Sequence, residues 1–151
     1  MHHYIDGIKL YEEGNVQQAI DQFTISIAVD TLASRNSRDW RASLYIELGY
    51  YELAIKDYDR LVRIGPKNAE AYNNRGVAYG HLGQYQRAIQ DYDKVIQLSS
   101  NYSNAYLYRG AAYDNLGQYQ LAINDYTKAI QIGSIYDANA YINRGVSYSK
   151  L

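Results

Sequence analysis

Four glycines, Gly14, Gly49, Gly83 and Gly117, stand 35, 34 and 34 residues apart in a chain of 151. This period constrains the fold more than any other feature, because other residue types keep step with it. Two residues after each glycine come Val16, Tyr51, Tyr85 and Tyr119, and five after come Ala19, Ala54, Ala88 and Ala122. Nine after come Phe23, Tyr58, Tyr92 and Tyr126. Four before sit Leu10, Tyr45, Tyr79 and Tyr113, and seven before sit Gly7, Ala42, Gly76 and Gly110. A fifth half-copy carries Tyr141, Gly145 and Tyr148. The same period accounts for an odd composition: 19 tyrosines against one Phe and one Trp mean that a few structural positions are filled repeatedly by one residue type.

Each copy reads as two amphipathic helices. From Ala69 to His81 the residues Tyr72, Val77, Ala78 and Tyr79 lie on neighbouring turns. From Tyr85 to Leu98 the set Tyr85, Ala88, Ile89, Tyr92, Val95 and Ile96 follows a helical stripe. Leu-Gly-Gln-Tyr, at Leu82–Tyr85 and again at Leu116–Tyr119, makes the turn between helices, and its glycine suits a left-handed helix end. Stop signals follow the second helices at Gly65-Pro66, Ser99-Ser100 and Gly133-Ser134. Pro66 is the sole proline, as a nearly all-helical chain requires. Gly76 and Gly110 are expected opposite Ala88 and Ala122, where small residues let helix backbones approach, with tyrosines filling the gaps between pairs. One such hairpin cannot bury its apolar face alone, whereas stacked copies can.

The remaining composition removes several function classes. Fifteen Lys+Arg against 16 Asp+Glu give a formal charge of -1, which suits neither nucleic acid nor an anionic membrane surface. With no cysteine there is no disulfide framework, zinc-thiolate site or cysteine nucleophile. No stretch approaches the ~18–20 apolar residues of a membrane span. Met1 to Leu10 lacks the layout of a signal peptide, so a cytoplasmic location is expected if the chain starts where its gene starts. His2, His3 and His81 are the only histidines, and none sits in a nucleophile–His–acid pattern. His81 reads either as a groove contact or as a helix-end cation complementing the dipole. No His/Asp/Glu cluster has metal-ligand spacing, and glycines 34 apart make no phosphate loop. Neither catalysis nor a metal nor a cofactor is expected.

The 34-residue period with small–aromatic–Gly–aromatic–Ala–aromatic columns resembles the tetratricopeptide repeat (TPR), most closely in Ala69–Tyr102 and Ser103–Tyr136. Asn74-Arg75-Gly76 and Asn143-Arg144-Gly145 resemble a subtype frequent in bacterial members. The chain departs from the family at Ser26, where a larger residue or alanine is usual, and at Arg38, where an aromatic is usual. It also has a longer polar linker around Asp30 to Ser37 and one residue inserted near Asp137. The resemblance implies an all-α, right-handed superhelical solenoid of about nine helices. It implies a single array over 1–151, with repeats at about 1–33, 35–68, 69–102 and 103–136 and a half-repeat at 138–151. First helices would line the concave face and second helices the convex face. The ninth helix, Ala138–Lys150, lacks a partner helix and carries Tyr141, Ile142, Val146 and Tyr148. Three readings of it stay open: a chain cut from a longer array, an end that meets another molecule, or a slightly apolar cap.

Two charge columns run through the array. Arg41, Arg75, Arg109 and Arg144 precede the small residue of the first helix, and Asp57, Asp91 and Asp125 precede the second-helix aromatic. They read either as guanidiniums awaiting acidic ligands or as a ladder of ion pairs, each Arg within ~4 Å of an Asp.

The family's best understood ligand mode is a clamp of Lys and Asn, then Asn, then Lys and Arg over three repeats, which holds the carboxylate tail of heat-shock chaperones. The matching windows here read Tyr4, Ile8, Trp40, Glu70, Asn74; then Asp39, Ser43, Asn74, Asn104, Tyr108; then Asn73, Val77, Tyr108, Asn139, Asn143. None supplies the cationic pair, so a heat-shock carboxylate-clamp ligand is not expected. The resemblance instead places Asn73, Asn74, Val77, Asn104, Leu107, Tyr108, Asp114, Asn139, Ile142 and Asn143 in a groove of amide and aromatic character. Asparagines hydrogen-bond an extended backbone without reading its sequence, although a merely solvated polar face would look the same. The implied function is a noncatalytic protein–protein interaction scaffold that holds a partner's peptide or helix in the groove. Two alternatives remain: a homo-oligomer joined through chain ends, with Tyr141 and Tyr148 at the contact, or an accessory domain of a larger protein.

Overall fold

The structure, a computed structural model, describes residues 2–29, 34–133 and 138–151. Part of the polar linker and the insertion near Asp137 lie outside the described residues. Those residues form nine helices: α1 (His2–Glu12), α2 (Val16–Val29), α3 (Ser34–Glu47), α4 (Tyr51–Ile64), α5 (Ala69–His81), α6 (Tyr85–Leu98), α7 (Ser103–Asn115), α8 (Tyr119–Ile132) and α9 (Ala138–Tyr148). The fold is an all-α helical repeat. It divides into two compact units, Met1–Ala71 and Tyr72–Leu151.

The expected turns form where the glycines stand. Gly14, Gly49, Gly83 and Gly117 have φ of 80°, 79°, 70° and 71°, a conformation that costs a residue with a Cβ. At Gly83 the chain closes with the Gln84 N–H donating to Tyr79 O at 2.9 Å, which satisfies a carbonyl left open by the end of α5.

In the first unit Ala19, Ile20, Phe23 and Leu44 make one core cluster, with Tyr4, Ile8, Tyr11 and Trp40 packed around it. The Phe23 and Trp40 rings stack 6.1 Å apart. The departure at Ser26 has a structural reason, because its hydroxyl receives a hydrogen bond from Ser37 at 2.8 Å and both residues are buried. Two buried hydroxyls are thereby satisfied together. After α4, the Asn68 side-chain oxygen accepts from the Ala71 N–H at 3.2 Å and caps the start of α5.

In the second unit one core cluster is Tyr106, Leu107, Ala122, Tyr126, Ala129 and Ala140. Here one expectation is corrected. A Cβ on Gly76 would lie 2.8 Å from the Tyr92 ring, and one on Gly110 would lie 2.8 Å from the Tyr126 ring. Those glycines therefore clear space for the aromatic of their own repeat, not for the alanines at 88 and 122. Gly7 does the same for Phe23, at 2.6 Å.

Candidate functional site

The arginine column is largely a structural ladder. Arg41 grips Asp57 through Nε and Nη2, both at 2.8 Å. Arg75 holds Asp91 at 2.8 and 2.6 Å, and Arg109 holds Asp125 at 2.7 Å twice. Each is a bidentate fork on a buried carboxylate sixteen residues ahead. The third donor, Nη1, reaches back to the preceding second helix: Arg41 to Thr24 at 2.9 Å, Arg109 to Asp93, and Arg144 to Thr127 at 3.2 Å. Tyrosines of the same helix flank the guanidinium, with Arg109 lying 5.6 Å from the Tyr106 ring and 5.8 Å from that of Tyr113. Where the flanking aromatic is replaced by Arg38, that side chain joins Asp57 at 3.3 Å. Arg144 departs from the expected ladder. Its position sixteen residues ahead lies past Leu151, and among the described residues it has no carboxylate partner.

The predicted groove residues do not all converge. Val77 and Tyr108 do, as opposite walls of a cleft of about 290 Å³ between α5 and α7. Its floor is Ala88 and Tyr92 of α6, and His81, exposed at the end of α5, stands at its mouth. Tyr108 is 38% exposed, and its ring lies 6.0 Å from that of Tyr92. Burial, then the neighbouring Tyr108 and Asp91, push the Tyr92 phenol pKa far up, so the floor stays neutral. Such a cleft suits an uncharged apolar or aromatic side chain.

Other expectations are corrected. Leu107 is no groove residue: it is 9% exposed and sits in the core cluster with Ala140 of α9. Asp114 is engaged structurally. Its carboxylate accepts from Ser147 of α9 at 2.9 Å and from the Tyr126 hydroxyl at 3.4 Å, so it ties α7 to its neighbours. Asn73 is 5% exposed and donates to Asn74 Oδ1 at 3.2 Å, while its own side-chain oxygen has no partner. Asn104, Asn139 and Ile142 are exposed, and Asn143 is half-buried. Tyr85 and Tyr92, which line the cleft, carry only a packing signal in the sequence.

A wider, polar depression of about 710 Å³ lies in the first unit, between the start of α3 and the α4–α5 turn, and is lined by Arg35, Asp39, Lys67 and Glu70. Burial, then the Glu70 carboxylate, raise the pKa of Asp39 above its ordinary 3.8, with Arg35 pulling the other way. A carboxyl that holds its proton more tightly when folded loses stability as pH rises above its unfolded pKa. Asp39→Asn is therefore expected to raise Tm near neutral pH and to leave it unchanged at about pH 3, as thermal melts across that range would read.

With this geometry in hand, the family is clear. The tetratricopeptide repeat model matches residues 69–102 and 103–133, and a second TPR repeat model matches 42–83. The chain belongs to the tetratricopeptide repeat family. It is 28% identical over 76 residues to the BBSome complex member BBS4 of Xenopus tropicalis, spanning half of this chain but only 14% of that protein. Among solved structures it resembles MamA, with 27% identity, a TM-score of 0.88, and coverage of 95% of this chain and 82% of that one. It also resembles the second TPR domain of human RPAP3, solved in complex with the HSP70 peptide SGPTIEEVD. That match has 27% identity, a TM-score of 0.70, and coverage of 74% of this chain and 92% of that one.

Proposed function

We propose that this chain is a noncatalytic interaction scaffold that seats a neutral or weakly apolar segment of a partner protein in the Val77–Tyr108 cleft. The observation that carries this is the cleft's aromatic wall, since Tyr108 leans on the buried Tyr92, with ring centroids 6.0 Å apart, and stays exposed. Large exposed aromatics beside a preformed apolar cleft are the usual anchors of peptide binding. A preformed cleft also lowers the ordering cost on one side of the interface. The likeness to a peptide-bound RPAP3 domain supports the class of ligand. A carboxylate-clamp ligand is not part of the proposal, because the positions of the clamp's cations hold Asn, Tyr and acids here. Asn74, Asn104, Asn139 and Asn143, which do not line the cleft, would hydrogen-bond the backbone of a longer ligand. The Asn-Arg-Gly triplets favour a bacterial-type array, and the cytoplasm is the compartment we propose for it.

A displayed peptide library selected on the whole chain tests the proposal. Selected peptides should share an uncharged apolar or aromatic anchor, and Tyr108→Ala should weaken them by roughly tenfold or more, the loss of one buried anchor. Peptides enriched for a terminal carboxylate, or indifferent to Tyr108→Ala, would remove it.

A further inference from the structure

Three tyrosines share one position on the second helices, Tyr58, Tyr92 and Tyr126, and none is more than 2% exposed. A phenol buried this far needs a hydrogen-bond partner. For two of them the preceding helix supplies it, from one of two positions. Fifteen residues back, the Ser43 hydroxyl lies 3.1 Å from that of Tyr58. Twelve residues back, the Asp114 carboxylate accepts from the Tyr126 hydroxyl at 3.4 Å. For Tyr92 these two positions hold Val77 and Gly80, which have nothing to bond with. Among the described residues no hydrogen bond reaches the Tyr92 hydroxyl. The first repeat avoids the need, because Phe23 stands at its position. A space accompanies the missing bond. A Cβ on Gly80 would meet nothing within 4 Å, and Val77, Gly80 and Tyr92 all line the same cleft. The cleft thus contains a buried phenol that its own repeat leaves unanswered, beside the gap where the next repeat seats an acid. Any group that enters displaces solvent from that hydroxyl, and an apolar tip gives nothing in return.

We propose that the partner segment is anchored by a tyrosine, whose ring fills the cleft and whose hydroxyl meets that of Tyr92 as Ser43 meets Tyr58. This rests on the cleft being the partner's seat and adds the identity of the residue that fills it. A cleft of about 290 Å³ lined by Tyr85 and Tyr108 takes one aromatic ring. A hydroxyl both gives and accepts, so it suits Tyr92 whichever of the two donates. A carboxylate could accept as well, but no Lys or Arg is among the described lining residues to compensate its burial. A second copy of this chain is the poorer donor. Of its three most exposed tyrosines, two are already engaged, Tyr50 by the Tyr45 ring and Tyr141 by Arg144.

The probes are capped peptides, acetyl-Gly-Ser-Xaa-Ser-Gly amide with Tyr, Phe, Leu, Gln or Glu at the central place. Each is titrated into the labelled whole chain and followed by chemical shift at Val77 and Tyr108. The tyrosine peptide should bind roughly tenfold more tightly than the phenylalanine peptide, the difference of one hydrogen bond at a buried group. Tyr92→Phe should erase that difference without weakening the phenylalanine peptide. Gly80→Asp, which gives Tyr92 the partner that Tyr126 has, should block the tyrosine peptide, and Tyr108→Ala should weaken both aromatic peptides. Thermal melts separate binding from folding: Tyr92→Phe removes an oxygen that holds nothing and should not lower Tm, whereas Tyr126→Phe takes a donor from Asp114 and should. Equal binding of the tyrosine and phenylalanine peptides, tighter binding of the Gln or Glu peptide, or a tyrosine preference that survives Tyr92→Phe overturns the tyrosine anchor and leaves the cleft as the partner's seat. Val77 and Tyr108 unmoved by every peptide would overturn both. Light scattering supplies another arm: mass that rises with concentration and returns to the monomer in Gly80→Asp would assign the anchor to a second copy and overturn the partner assignment.

Discussion

Asp91→Ala is expected to destabilise the protein by about 3 kcal/mol, the low end of what removing one member of a buried ion pair costs. Asp91 is buried and accepts both forks of Arg75, which is itself held between the Tyr72 and Tyr79 rings at 5.5 and 5.8 Å. Removing the carboxylate takes away the acceptor of the Arg75 Nε and Nη2 donors beside the two tyrosine rings. The loss reflects the cost of breaking a partly buried charge pair by removing one member. Arg144→Gln tests the explanation from the other side. That arginine is described with no carboxylate, so its replacement should change stability by no more than about 0.5 kcal/mol. Urea unfolding of the two variants compares them directly. Equal losses would mean that the arginine column stabilises the fold through stacking on tyrosine, and that the aspartates matter little.

The second large effect lies in the glycine column, where one residue type has opposite roles at two positions. Gly110→Val is expected to cost about 3 kcal/mol, because overpacking a closed core forces side chains or backbone to shift. The first added carbon alone would stand 2.8 Å from the Tyr126 ring, and Tyr126 is fully buried, so the ring has nowhere to retreat. At Gly145 the added carbon meets nothing within 4 Å. Gly145→Ala should therefore stabilise α9 by about 0.5–1 kcal/mol, the ordinary helix advantage of alanine over glycine. Thermal melts should show Tm falling in the first variant and rising in the second. A fall in both would mean that the space at Gly145 is already filled.

The helices were legible in the sequence because two periods agree. The apolar stripe fixes each helix face, and the 34-residue return of Gly83 and Gly117 fixes where helices stop, so α5 and α6 begin and end at the residues expected. The ion-pair ladder was legible for a similar reason: Arg and Asp recur in register. What lies opposite Gly76 was not. Ala88 and Tyr92 are one helical turn apart on the same face, and spacing alone does not say which of them meets the glycine. The backward bonds of the arginines were hidden because their partners change type, Thr24, Asp93 and Thr127. Leu107 and Tyr108 are adjacent and both large, yet one is in the core and the other at the cleft. That difference follows from how α8 and α9 pack on α7, which a residue's column in a repeat does not carry. The likeness between Tyr85 or Tyr92 and the other packing tyrosines likewise concealed their second use as cleft lining.

In the proposed complex the cleft between α5 and α7 receives a partner's side chain. Chemical-shift mapping of the labelled chain with a library-selected peptide tests it most directly. The largest changes should fall at Val77, His81, Tyr92 and Tyr108, and should vanish in Tyr108→Ala. Changes confined to the opposite surfaces of α6 and α8, with the cleft residues unmoved, would contradict it.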